Sequence, residues 1–209
     1  MRYFTSDLHL GHHNILGYTD RPFATTDDMA EHLIDRWSQV VADDDEVWLL
    51  GDLAMGRIDE SLPLVGRLPG RIILVPGNHD RCWSGIRYTR NGARNAERVQ
   101  FWREKYLESG IDEIVDGPCT LELDGTPVRL SHFPFRGGGD HTAEERYTEH
   151  RLIDTGGWLL CGHVHHLFRV SGRQINVGID AWGGDLVPEH TLTELIAQGP
   201  AELPPLPWT

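Results

Sequence analysis

Apolar positions along the chain fall in short runs rich in Val, Ile, Leu and aromatic residues: RYFTS, VWLL, IILV, VRLS, WLLC, FRV and INV. Each is of strand length. Between the first two, helical spacing of Met29, Leu33, Trp37, Val40 and Val41 predicts an amphipathic helix. It is expected to start near Thr26 or Asp27, where N-cap oxygens and early negative charge are available. A second helix is predicted from Asn95 to Leu107, with Val99, Trp102 and Tyr106 on one side, and a third from Ala143 to Ile153. Strands alternating with helices early, then strands close together late, imply an α/β architecture with mixed sheets. We find no internal repeat or long linker, so residues 1–199 are expected to form one domain, with the proline-rich 200–209 as a surface tail.

Every one of five apolar runs ends in a polar cluster: Asp7-Leu8-His9 after RYFTS, Gly51-Asp52 after VWLL, Gly77-Asn78-His79-Asp80 after IILVP, His132 after VRLS, and Gly162-His163-Val164-His165 after WLLC. Loops at the carboxyl ends of strands build the sites of α/β folds, so five segments are expected to converge on one crevice. Asp7 with His9, and His163 with His165, are spaced by two, which places both side chains on one face of an extended segment. Such a pair shares one metal or brackets two. Carboxylates, one amide and four imidazoles without a thiolate suit Mn, Fe, Zn or related divalent ions better than Ca or Mg alone. A pair of such ions about 3.5–4 Å apart activates water and clamps phosphate oxygens.

Composition narrows the partners. With 19 Lys plus Arg against 32 Asp plus Glu, the formal charge is −13, which opposes binding to polymeric nucleic acid or anionic lipid. A small phosphate ester remains compatible, because bound cations reverse the local field. Three cysteines with no C-x-x-C, no secretory leader and no run long enough to span a membrane point to the cytoplasm.

The order D-x-H, GD, GNHD, H and GHxH, running from Asp7 to His165 over about three quarters of the chain, resembles the calcineurin-like metallophosphoesterase family. That resemblance implies a four-layer α/β/β/α sandwich of two mixed sheets flanked by helices, with a dinuclear site at the strand ends. It implies that Asp7, His9 and His165 hold one metal, that Asn78, His132 and His163 hold the other, and that Asp52 bridges them. His79 is then expected to contact the substrate phosphate and protonate the leaving oxygen, with Asp80 orienting it. The expected cofactor is two divalent ions, manganese foremost, with Fe, Zn, Ni or Co as alternatives. The expected reaction is in-line attack by a metal-bridging hydroxide with no covalent intermediate.

The opening DLHLGHHNI, the DRPF at residues 20–23 and the late INVGIDAW resemble a small bacterial and phage branch of that family. Arg21 is a candidate phosphate contact, because a guanidinium pairs with two phosphate oxygens. His12 and His13 follow the first ligands, and the glycines at 137–139 form a candidate lid carrying Arg136 and His141. Trp182 is a candidate stacking platform. The leading reading is a phosphodiesterase for small diesters such as cyclic nucleotides. The alternatives are a phosphomonoesterase and, from another class, a non-catalytic scaffold; the full ligand set weighs against the scaffold. A nuclease lacks its basic stripe, and an amidohydrolase would place H-x-H first. Natural substrate and oligomeric state stay open.

Overall fold

The computed structural model describes residues 1–86, 92–137 and 145–209, with the side chains of 92–94 excepted. Two mixed sheets, flanked by helices, form the body. The first holds β1 (Arg2–Thr5), β2 (Glu46–Leu49), β3 (Arg71–Leu74) and β4 (Glu113–Ile114), all parallel, with β10 (Val187–Pro188) antiparallel along the outer edge of β1. The second has the order β11-β8-β9-β7-β6-β5, from β5 (Cys119–Leu123), β6 (Thr126–Leu130), β7 (Trp158–Cys161), β8 (Val170–Gly172), β9 (Gln174–Asn176) and β11 (Ala201–Leu203). Within it β6, β7 and β9 run parallel.

The first sheet is covered on both faces, and its sequence shows why its strands read as continuous apolar runs. Tyr3, Val47, Leu49, Ile72 and Leu74 turn outward to pack on helices, while Phe4, Trp48, Leu50, Ile73 and Val75 turn inward against the second sheet. From the second sheet Val128, Leu130, Leu160, Val170 and Ile175 close that inner core.

Among the described residues, α1 (Ile15–Tyr18) and α3 (Ile58–Ser61) are single turns, and α4 (Gly92–Glu108) and α5 (Glu189–Gln198) are longer. The helix α2 (Thr26–Val40) lies where the spacing predicts it, and Thr25 caps it by accepting the Asp28 backbone N–H at 3.0 Å. Its buried Met29, Leu33 and Trp37 each contribute roughly 1.5–3 kcal/mol by leaving water. Val40 departs from the expectation at 47% exposed, because the helix ends there and turns its last side chain outward. The predicted helix at 95–107 is α4, with Val99 and Tyr106 buried.

The helix expected at 143–153 does not form: residues 145–153 hold only a 3-10 turn, Thr148–His150. Tyr147, at φ +56°, breaks the local helix, and its ring packs instead with Phe133, 5.5 Å between centroids. No helix of the described residues is long and apolar enough to cross a membrane.

The proline-rich end lies along the surface and is tied to the fold. Residues 201–203 are the edge strand β11, paired antiparallel with β8. Leu206 N–H then bonds Ala181 C=O at 3.0 Å, and the Trp208 ring stands edge-on to Phe23 at 5.5 Å. The prolines at 200, 204, 205 and 207 flank this edge strand and interrupt none of its ladder. Trp208→Ala is therefore expected to destabilise the protein by about 1–3 kcal/mol and lower Tm accordingly, measured by thermal melts. An unchanged Tm would mean that the segment contributes nothing to folding.

Candidate metal centre

The ligand-bearing loops leave the strand ends and are laced to one another. Asp7 N–H bonds Gly51 C=O and His9 N–H bonds Asp52 C=O, both at 3.0 Å, so the loop after β1 rides on the loop after β2. His163 N–H reaches Asp7 Oδ2 at 3.0 Å, and Gly162 N–H bonds His132 C=O at 3.0 Å. The second sheet is thereby sewn to the first.

The glycines serve this lacing. A Cβ on Gly162 would lie 1.9 Å from Ser6 Oγ and 2.6 Å from Asp7 Oδ2, and one on Gly77 would lie 2.3 Å from Asp52 Oδ1. The room they leave is taken by neighbouring candidate ligands.

Side-chain convergence has a different cause from strand alternation. Asp7, His9, Asp52, His163 and His165 have φ of +60°, +51°, +56°, +69° and +46°. All five are left-handed, and none is extended. Asp and His enter that region more readily than bulky residues do, but each placement still costs roughly 1–3 kcal/mol. Tight turns, not the twofold repeat of a strand, aim these groups.

Two buried groups result: one ligand atom from each of Asp7, His9 and His165 lies within 4.8 Å of the others, and likewise for Asp52, His132 and His163. His163 and His165 therefore fall to different groups, while Asp7 and His9 share one. Asp52 lies between them: its Oδ2 is 3.7 Å from His9 Nε2 and 3.4 Å from His132 Nε2. Asn78 joins the second group, with Oδ1 at 3.1 Å from His132 Nε2.

The donor set fits divalent cations. His9 Nε2 is buried with no hydrogen-bond partner among the described residues, and it faces Asp7 Oδ1 at 3.9 Å and Asp52 Oδ2 at 3.7 Å. These distances are too long for hydrogen bonds and suit ligands around a shared ion. His132 Nδ1 lies 2.7 Å from Leu50 C=O, an acceptor that assigns the proton to that nitrogen. In the neutral ring its Nε2 lone pair then points at the oxygens of Asp52 and Asn78.

Charge leads to the same conclusion. Burial disfavours the His132 cation, but Asp52 and Asp7 overcome it and lift the pKa to about 9. Carboxylates that draw a proton so strongly also draw a divalent cation in its place. Burial holds His9 well below the usual imidazole range, in the neutral ligating form. Burial raises Asp7, with Asp52 opposing a second negative charge beside it.

The calcineurin-like phosphoesterase family is matched over residues 3–167. The chain belongs to that family. A protein of Mycobacterium phage D29, the gene 66 protein, is 39% identical over 204 residues, covering 93% of this chain and 94% of its own. An uncharacterized protein of Methanocaldococcus jannaschii is 40% identical over 206 residues, covering 94% and 92%. A solved structure of a protein of unknown function from Aquifex aeolicus shares the fold, with TM-score 0.68, 24% identity and coverage of 93% and 98%.

Within this phosphoesterase, the remaining expected site residues divide. His79 is half-buried at the cluster, its ring 5.5 Å from that of His9 and its N–H on Asp52 Oδ1 at 2.9 Å. His12 also arrives, with Nδ1 3.2 Å from His9 Nδ1. His13 is exposed, and His141 lies outside the described residues.

Arg21 is not a phosphate contact. It is 4% exposed, and its guanidinium is consumed by Asp180 at 2.8 and 2.9 Å and by the carbonyls of Asp7 and Leu8 at 2.7 and 2.8 Å. Arg136 is exposed, and its Nη2 lies 3.2 Å from where a Cβ on Gly172 would be, in the turn before β9. The metal-ligand groups lie at the other end of β9. Trp182 is buried and donates to Asn176 C=O at 2.7 Å, so no face is offered for stacking.

Asp80, the residue expected to orient His79, ties backbone segments together. Its fully buried carboxylate accepts the backbone N–H groups of Asp52, Leu53 and Gly77 at 2.8, 3.0 and 2.8 Å. It therefore holds the loops after β2 and β3 together. Burial and the nearby Asp52 charge raise it to about 6, against those three donors.

Asp180 is the residue that strand-end reasoning should have taken up. It follows the run INV just as the expected ligands follow theirs, but it lies beyond the motif. Its Oδ2 is 3.0 Å from His165 Nδ1, an arrangement that leaves Nε2 of that ring as the ligand. Burial would raise Asp180, yet Arg21 and His165 hold it well below the usual carboxylate range. Asp180→Asn is expected to weaken metal binding by about 10–100-fold in calorimetric titration, the usual cost of losing such a support. Arg21→Met, which leaves the buried Asp180 carboxylate with His165 as its remaining partner, is expected to destabilise the fold by about 3–5 kcal/mol in urea unfolding.

Proposed function

We propose that this phosphoesterase is a two-metal phosphodiesterase that hydrolyses small phosphodiesters. The observation that carries the reading is the Asp52 carboxylate, buried between two imidazole-bearing groups with His9 on one side and His132 on the other. In this reading Asp7, His9 and His165 hold one divalent ion, Asn78, His132 and His163 hold the second, and Asp52 is shared. Manganese is the foremost candidate, and Fe, Zn, Ni and Co suit the same ligands. Bound ions of this kind acidify water and neutralise charge on phosphate oxygens.

The chain's own groups supply the rest. His79 has its backbone fixed by Asp52 while its ring stays half-exposed beside His9, which suits contact with the phosphate and proton delivery to the leaving oxygen. His12 borders the same opening. Arg21 is spent on Asp180 and on the carbonyls of Asp7 and Leu8, and Arg136 lies beside Gly172, so neither is placed to pair with a second phosphate charge, which favours a singly charged diester over a dianionic monoester. The formal charge of −13 favours a small ester over a polymer. A cytoplasmic location belongs to the same reading, supported by three free cysteines.

The test is hydrolysis of paired chromogenic substrates, one diester and one monoester, by metal-free protein resupplied with Mn, Ni, Zn or Mg. Diester cleavage is expected to lead, and Asp52→Asn to lower it on the order of 1,000-fold by removing several kcal/mol of charge stabilisation. His79→Ala is expected to slow turnover by about 100- to 10,000-fold with metal content retained. Monoester preference would move the assignment to a phosphatase, and inactivity with every metal would favour a scaffold.

A further inference from the structure

Beside the ligand groups, at the same strand ends, lies a second feature that the catalytic reading does not use. A cavity of about 210 Å³ opens between the exits of β3 and β6 and the loop entering β5. His132 forms part of its wall, so the cavity adjoins the second ligand group. Its other walls include the rings of Trp83, Phe133 and His150 and the flat faces of Pro76 and Pro118. Among the described residues no Asp, Glu, Lys or Arg lines it.

The rings are set in order by mutual packing. Phe133 follows His132 directly, and its centroid is 5.0 Å from that of His132 and 5.2 Å from that of His163. His150 stacks on Phe133 with 26° between planes and 5.8 Å between centroids. Trp83 meets His150 edge-on at 4.7 Å. Drug-sized pockets run to roughly 300–1,000 Å³, so this one suits a single ring system. A larger groove of about 500 Å³ lies between α3 and α4, but none of the ligand residues reaches it.

We propose that this cavity is the base subsite, receiving the neutral planar ring of a nucleotide whose phosphate sits at the ligand groups. It rests on the phosphodiesterase reading and narrows the substrate to nucleotide esters. Aromatic walls stack on any base, because every base has a π face, and the uncharged lining among the described residues suits a neutral ring. Ser84, exposed at the rim, offers a hydroxyl to a base edge.

The test compares AMP with ribose 5-phosphate, which differ only by the base, as ligands of the Mn-loaded full-length protein in calorimetry. AMP is expected to bind about 5- to 150-fold more tightly, the span of one base–aromatic stack. That ratio is expected to collapse towards one in Trp83→Ala and in His150→Ala; the half-exposed His150 provides a variant that does not depend on the buried indole. Equal binding of the two ligands by the unmodified protein, or an unchanged ratio in both folded variants, would overturn the proposal. Calorimetry reads binding whether or not an ester is cleaved, so failure of the subsite and failure of the diesterase assignment are separate results.

Discussion

Asp52 and Asp7 are carboxylates taken wholly out of water, and the surrounding architecture answers that electrostatic cost. An isolated buried carboxylate is unfavourable by several kcal/mol, and here two lie in one crevice. Four imidazoles converge on them, and backbone N–H groups of His79 and His163 point at their oxygens. Each neighbour satisfies part of the negative charge, and divalent ions held by these groups would complete the balance. The sheets, the short glycine turns and the left-handed ligand residues follow from bringing that many polar groups to one place without solvent.

Two further carboxylates hold this assembly from outside. Asp80 gathers three N–H groups from two loops, and Asp180 is clamped between Arg21 and His165. Both are buried. They are anchors that keep the inner groups at fixed separations, and rigid support of that kind distinguishes a preorganised site from a loose cluster of ligands.

Much of this was legible in the chain because burial on both faces of the first sheet writes continuous apolar runs, and the polar residue that follows each run marks a strand end. The runs mark β1, β2, β3, β6, β7 and β9, FRV reaches only the first residue of β8, and the polar ends of the runs mark the candidate ligand order. β5 was harder to read, since CTLEL alternates Thr120 and Glu122 with its apolar residues and presents only one face to the core. The helix expected at 143–153 failed for the converse reason: its sequence has helix-forming residues but few apolar ones, so nothing held a helix against the sheet. Arg21 was misread because sequence shows a cation near ligands without showing that a carboxylate 159 positions away occupies its fork. Partners that remote leave no local trace.

The Arg21–Asp180 pair also has a temporal meaning. It ties the loop that carries Asp7 to a residue near the end of the chain, and His163 and His165 arrive late as well. During synthesis, domains fold as their parts emerge, but the first ligand loop cannot be fixed until the segment bearing Asp180 is available to receive Arg21. A metal ion at the group of Asp7, His9 and His165 would accordingly be held only after the segment bearing His165 and Asp180 has emerged, and a chain interrupted before residue 180 would lack the carboxylate that receives Arg21.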